Sequence, residues 1–438
     1  MKLEHLSLAN CGGFEQIDID FERDVTLIAG VNGVGKSTLL RAMAVVLSRA
    51  MPEFTPSRST AIYFTDDDIH GDKSSLEVSV RLRIDGQTIN AGVQRSRVTE
   101  EQGDRFMILR QAETTEETTD FVESLGARTL TGNLEAGMKE TRAALAKLKS
   151  AANPPLAVYF TPKRQLPGQP RTLPEAKPLL DPSIAFGRAL HDREVELREF
   201  MHWFRTQEKL GTATAPRRRK VLDALRSVVS ELVPEFTNLH IQESPRLGFV
   251  VDKRGQSFYL HQLSDGERGL LALVFDLTRR LAIANPESDN PIAEGVALVL
   301  IDEIELHLHP KWQRDVLGRL RSVFQNCQFV VTTHSPLVLG EVEARCVRFL
   351  EFQNDKVVTI TPTEAYGMDA NRVLDELMDA PVRNKQMEME LRALFELIDA
   401  EDFTQARAMI TTLEQQLGEH EPELTRAKSL ITFLEGSE

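Results

Sequence analysis

A chain of 438 residues with 41% apolar content has room for one large or two medium folded bodies and the composition of an ordinary globular protein. Its net charge of −14 argues against a protein that coats nucleic acid indiscriminately. Three scattered cysteines, Cys11, Cys327 and Cys346, supply neither a disulfide framework nor a zinc ribbon, and no apolar run is long enough to span a bilayer, so a reducing cytoplasm without membrane contact is expected.

The N-terminus MKLEHLSLAN alternates as a strand does and lacks the apolar core of a secretion signal. The apolar run Val25 to Ala29 leads into GVNGVGKS at Gly30 to Ser37, and a helical pattern follows from Lys36 to about Ala50. This is the strand, loop and helix context that G-x-x-x-x-G-K-[ST] requires. Glycine permits backbone angles that let successive N–H groups turn onto phosphate oxygens, with a helix N-terminus behind them. Asn32, Gly33, Gly35, Lys36, Ser37 and Thr38 are therefore candidates for binding ATP, Lys36 reaching the β- and γ-phosphates and Ser37 ligating Mg2+.

Residues 99–240 have a different texture and read as a mostly helical insertion between 1–98 and 241–363. Residues 111–123 are polar and acidic, Leu134 to Leu148 has helical spacing, and Asn153-Pro154-Pro155 breaks it. A strand is expected over Leu156 to Phe160, then a Pro-rich crossing over 161–182, then an amphipathic helix from Leu190 to Lys209. Its Phe200, Trp203 and Phe204 suit a core better than a base-stacking platform. Arg217-Arg218-Arg219-Lys220 open the next helical pattern, as either a solvated helix start or a nucleic-acid contact.

Leu263-Ser264-Asp265-Gly266-Glu267 precedes another helical pattern, so Ser264 or Asp265 is placed to cap a helix whose free N–H groups could also meet an anion. Val296 to Ile301 is continuously apolar, as a strand buried on both faces should be, and ends in Asp302-Glu303. A nucleotide-bound Mg2+ accounts for Asp302, and Glu303 is placed to orient or deprotonate the attacking water. Phe329 to Val331 is the next strand, with Thr333-His334-Ser335 at its end, where His334 could sense the γ-phosphate. From Glu364 onward 17 acids face 7 Lys and Arg, and four short helical stripes follow, with a turn at Gly418 to Pro422. This segment, 364–438, reads as a cap or as an acidic docking surface.

These motifs, in this order, resemble the ABC-type ATPases of the RecF, SMC and OLD type, with LSDGE where many relatives have LSGGQ. The resemblance is carried by about the first ninety residues and about 240–362. It implies an α/β P-loop head, a homo-oligomer of ATP-sandwiched heads, and Ser264, Gly266 and Glu267 as signature residues, Ser264 and Gly266 acting on the γ-phosphate of another copy. Asp66-Asp67-Asp68 lie near where the family's glutamine loop would fall, or are a solvated loop. His309 replaces the aspartate that transporter cassettes carry after the acidic pair, and His307-x-His309 leaves a metal or a dimer-contact loop open.

VYFTPKRQ, EFMHWFRTQE, CQFVVTTHSP and the helical tail narrow the resemblance to the PtuA-type ATPase subunits of Septu and retron-associated anti-phage systems. That likeness implies a separate HNH endonuclease subunit as partner, with DNA met through the complex. The 75 residues from Glu364 are helical and too few for the Toprim nuclease of OLD relatives, and no HNH motif occurs, so cleavage is expected from the partner. A RecF-like head acting directly on DNA is the alternative. A transporter cassette fits least, because the His309-Pro310 loop and the insertion depart from it.

Overall fold

The computed structural model describes residues 1–97, 104–110, 132–166, 168–177, 181–211, 216–354 and 356–435, and these form two compact units, Met1–Ala370 and Asn371–Glu438. In the first unit, strands β1 (Lys2–Cys11), β2 (Phe14–Asp20), β4 (Ser75–Ile84), β5 (Gln87–Ser96) and β6 (Arg105–Arg110) form an antiparallel sheet in the order β2-β1-β4-β5-β6. SLEVSVRLRI in β4 alternates buried and half-exposed positions, as expected of a strand with one face on a core.

The main sheet follows the order β14-β13-β3-β12-β11-β7, built from β3 (Val25–Gly30), β7 (Leu156–Phe160), β11 (Ala297–Ile301), β12 (Cys327–Thr333), β13 (Val347–Gln353) and β14 (Lys356–Ile360). All pairs are parallel except β13 with β14. Every residue of β3, β7, β11 and β12 is buried, which is why these segments read as mostly apolar runs, broken only by Thr26, Gln328, Thr332 and Thr333, rather than as alternations. The 99–240 stretch thus supplies strands as well as helices: β6 completes the antiparallel sheet and β7 forms an edge of the main one.

Helix α1 (Lys36–Phe54) follows β3, and α2 (Gly132–Ala146) ends in a 3-10 turn at Lys147–Ser150. The helix expected over Leu190 to Lys209 begins only at Leu197, as α3 (Leu197–Leu210). Tertiary bonds hold the preceding residues out of helix. Arg193 donates to Asp276 Oδ2 at 2.7 Å and to the Arg188 carbonyl at 2.8 Å, while the Val195 N–H reaches the Gln165 carbonyl at 3.3 Å.

Next come α4 (Pro216–Leu232), a three-stranded sheet β10-β9-β8 from β8 (Phe236–Gln242), β9 (Gly248–Lys253) and β10 (Gln256–Tyr259), and α5 (Asp265–Ala284). Phe200 on α3 stacks on Phe275 of α5 at 4.2 Å between centroids, and Phe204 and Phe249 close the cluster. The aromatics of α3 are therefore core, burying about 1.5–3 kcal/mol each in transfer terms. Helix α6 (Pro310–Val323) lies between β11 and β12 in sequence.

The second unit buries Leu391, Leu394 and Ile398 of α7 (Lys385–Asp399), Ala406, Ile410 and Leu413 of α8 (Phe403–Leu417), and Leu424, Ala427 and Ile431 of α9 (Pro422–Glu435). Asn384 and Asp402 cap α7 and α8, and Gly418 turns the chain at φ 90°. The first of the four expected stripes falls on Val373–Leu377, which forms a single π-type turn.

Candidate functional site

Parallel strands β3, β12, β11 and β7 place Ala29 opposite Thr333, and Ile301 opposite both Val331 and Phe160. Their carboxyl ends therefore deliver Gly30, His334, Asp302 and Thr161 to one sheet edge, the edge at which α/β folds bind ligands.

The loop after β3 needs its glycines for space as much as for conformation. Gly35 has φ 105°, and a Cβ there would lie 2.4 Å from the Phe14 ring. A Cβ at Gly30, φ 145°, would lie 2.5 Å from the Leu350 carbonyl. Gly33 also sits at positive φ, but faces open space. Asn32 and Ser37 are exposed and Thr38 is half-buried against the β1–β2 turn. Lys36 is buried, and its Nζ donates back to the carbonyls of Gly30 (2.8 Å) and Val31 (3.0 Å). Burial lowers its pKa, opposed by Glu305, Glu303 and Asp302, so the loop lysine and the acid loop share one electrostatic site.

Asp302 is 2% exposed. Thr332 Oγ1 donates to Asp302 Oδ1 at 2.6 Å and accepts the Glu303 N–H at 2.8 Å, so one hydroxyl ties β12 to both acidic residues. Glu303 takes φ +49° and His307 φ +61°, left-handed conformations that cost a non-glycine residue roughly 1–3 kcal/mol and gather at functional sites. Glu305, 5% exposed, accepts the His334 N–H at 2.7 Å, and His334 Nδ1 lies 3.0 Å from the same oxygen. The His334 N–H and Nδ1 both face Glu305 Oε1, and among the described residues no hydrogen bond involves its Nε2. A cavity of about 400 Å³ borders Asp302, with Tyr159, Arg41 and Lys163 in its wall.

Ser264 caps α5 in a reciprocal arrangement: its Oγ accepts the Glu267 N–H at 3.4 Å, and its own N–H and Oγ donate to Glu267 Oε2, at 2.9 and 2.8 Å. Glu267 Oε1 accepts from Lys253 at 2.6 Å. Burial would raise the Glu267 pKa, but Lys253 and the cap outweigh it and hold the carboxyl below its ordinary value. A Cβ on Gly266 would stand 2.1 Å from the His307 carbonyl, so the start of α5 is seated directly on the acid loop. The carboxylate of Glu267 is thus engaged in capping, and no hydrogen bond joins Ser264, Gly266 or Glu267 to Gly30–Thr38.

The other candidates fall outside this cluster. Asp68 pairs with Arg41 and accepts the Thr65 N–H, while Asp66 pairs with Arg95 at 2.8 Å. The segment adjoining the acid loop is instead the one after β7, where Arg164 donates to the Asp302 carbonyl at 2.5 Å. His309 caps α6 through Nδ1, and among the described residues no three His, Cys, Asp or Glu side chains gather as metal ligands. Lys220 lies 3.8 Å from Asp289, and Arg218 donates to Gln207 at 3.4 Å, as at a solvated helix start. Arg164, Thr332 and Glu305 were not legible as site residues. A Thr at the end of a buried apolar stretch, and an acid two residues beyond the acidic pair, are the signals of the last two.

No helix among the described residues is long and apolar enough to cross a membrane. Over 214 residues the chain is 36% identical to the retron Ec83 probable ATPase of Escherichia coli, a match covering 48% of this chain and 38% of that one. The match thus spans well under half the length of that relative. Septu protein PtuA of Bacillus thuringiensis is 22% identical over 410 residues, covering 90% of this chain and 88% of its own length. The SMC head domain from Thermotoga maritima aligns with a TM-score of 0.41 at 16% identity, over 83% of this chain and 99% of that one. Residues 25–340, from β3 through the turn after β12, match the family model described as an AAA domain, putative AbiEii toxin, Type IV TA system, and the chain belongs to that AAA-domain family.

Proposed function

We propose that this chain binds and hydrolyses ATP, and that two copies meet head to head around the nucleotide. The observation that carries this reading is the meeting of a glycine-bound phosphate loop with Asp302 and Glu303 at one sheet edge. In the reaction, Lys36 leaves the carbonyls of Gly30 and Val31 for the β- and γ-phosphates, while backbone N–H groups from Asn32 to Thr38 surround the phosphate oxygens. The residues fit Mg2+: Ser37 presents an exposed hydroxyl, and Asp302 uses only Oδ1 for Thr332, so these two side chains would hold the ion. When bound, it supplies neutralisation of charge on the phosphate oxygens. Glu303 orients the attacking water and accepts its proton, and His334 meets the γ-phosphate through Nε2. Ser264, Gly266 and the free N–H groups of α5 act on the γ-phosphate of the other copy.

Glu303→Gln keeps size and hydrogen bonding while removing the base. ATP binding should persist, hydrolysis should slow by orders of magnitude, and the head-to-head assembly should accumulate on sizing with ATP. Turnover equal to wild type would refute the assignment.

Likeness to Septu PtuA and the retron ATPases supports the setting we propose. In this reading the chain is the ATP-driven subunit of an anti-phage defence complex in the cytoplasm and governs a separate HNH endonuclease, which makes the contact with DNA. Co-purification with the product of the adjacent gene, with and without ATP, tests it. Strong stimulation of turnover by DNA alone would favour a RecF-like repair head instead.

A further inference from the structure

Arg164 lies four residues beyond β7, 6% exposed, with its guanidinium against the main chain of the acid loop. Nη1 donates to the Asp302 carbonyl at 2.5 Å and the Thr161 carbonyl at 3.3 Å. Nη2 donates to the Glu303 carbonyl at 2.6 Å and the Ile304 carbonyl at 3.4 Å. Among the described residues no carboxylate lies within ion-pair distance of it. Burial draws its pKa down to about 10, against the pull of Glu305, Asp302 and Glu303.

Burying a cation without a bonded counter-ion is expensive, and the fork returns that cost only where several acceptors must be held in a fixed mutual geometry. Four carbonyls accept here, three of them are consecutive, and the middle residue of those three is Glu303, held at φ +49°. On the other side of the same loop Thr332 takes the Glu303 N–H. Glu303 is therefore gripped at its nitrogen by a hydroxyl and at its carbonyl by a guanidinium, which leaves its side chain as the free part of the residue. The geometry points to Arg164 as a positioning residue that locks the acid loop in the left-handed turn and so presents the Glu303 carboxylate to the attacking water. This rests on the reading of Glu303 as the base in ATP hydrolysis.

Lysine keeps the charge but has no planar fork, so Arg164→Lys separates the two. Displacement of a catalytic group by about 1 Å costs roughly 100-fold in rate. For Arg164→Lys we expect kcat to fall at least tenfold, with the affinity for a fluorescent ATP analogue plus Mg2+ within about threefold of wild type. In the Glu303→Gln background the same change should have almost no further effect on kcat, because a residue acting only through Glu303 has nothing left to position. If Arg164→Lys does not fold, Arg164→Gln, which keeps two N–H donors, takes its place in the same measurements.

Wild-type kcat in Arg164→Lys, or an equal loss of kcat in the Glu303→Gln background, overturns the assignment. So does failure of both variants to fold, since Arg164 would then hold the head and not the loop. If Glu303→Gln itself turns over as fast as wild type, the hydrolysis reading fails first and takes the Arg164 assignment with it. Loss of kcat in Arg164→Lys that disappears in the Glu303→Gln background supports both.

Discussion

Thr332→Val replaces one hydroxyl by a methyl group of similar size and leaves no cavity, so its effect isolates two hydrogen bonds. The hydroxyl donates to the buried Asp302 carboxylate at 2.6 Å and accepts the Glu303 N–H at 2.8 Å. A bond to a charged group contributes about 1.5–3 kcal/mol, and an orphaned backbone donor costs about 1–3 kcal/mol, so the head should lose about 2.5–6 kcal/mol. Urea unfolding followed by tryptophan fluorescence reads the head alone, because Trp203 and Trp312 both lie in the Met1–Ala370 unit. The midpoint should fall with an unchanged m-value, and saturating ATP with Mg2+ should recover part of the loss through binding. Hydrolysis should fall at least tenfold, since Asp302 and Glu303 lose their shared anchor. A loss below about 0.5 kcal/mol, within the range of an ordinary surface substitution, together with wild-type kcat would refute the reasoning.

Gly35→Ala should abolish ATP binding and lower the melting temperature, because its methyl would meet the Phe14 ring at 2.4 Å in a φ of 105°; retained affinity for an ATP analogue would contradict this. Lys36→Ala should lose nucleotide binding and Ser264→Arg should lose hydrolysis, and mixing the two should restore some turnover if the signature acts on the other copy; no recovery in stable mixed dimers argues against that. His5 is charged more readily in the fold, through Asp18 first and then Asp20, against the effect of burial. With its folded pKa above the ordinary 6.5, its contribution is fully present below pH 6.5 and is lost as pH rises through the folded value. His5→Gln should therefore flatten the decline in head stability from about pH 6.5 upward, and an unchanged pH profile of urea midpoints would refute the pairing.

Some of this molecule is written locally. The phosphate loop is legible because glycine spacing, lysine and hydroxyl must follow one another along the chain to wrap one anion. Strands β7 and β11, and the apolar stretches Leu27–Ala29 of β3 and Phe329–Val331 of β12, are legible because burial on both faces demands a run of apolar residues. Helices of the C-terminal unit show their stripes for the same kind of reason, each needing one apolar face. The start of α3 is not legible, because residues 190–196 have an acceptable helical pattern and what excludes helix there is the bond from Arg193 to Asp276, 83 residues away.

The glycine-rich loop after β3, the strand that carries the acidic pair and the start of the capped helix α5 are each written in a short stretch of sequence, since each is a short-range demand on neighbouring residues. What surrounds Glu303 is set by the fold and is not written locally. Arg164 stands 138 residues before Asp302, and Thr332 stands 29 after Glu303. They meet the acid loop only because β7 and β12 flank β11 in the sheet. A guanidinium recognises main-chain carbonyls, and those are the same in every residue, so no pattern of side chains could announce the contact.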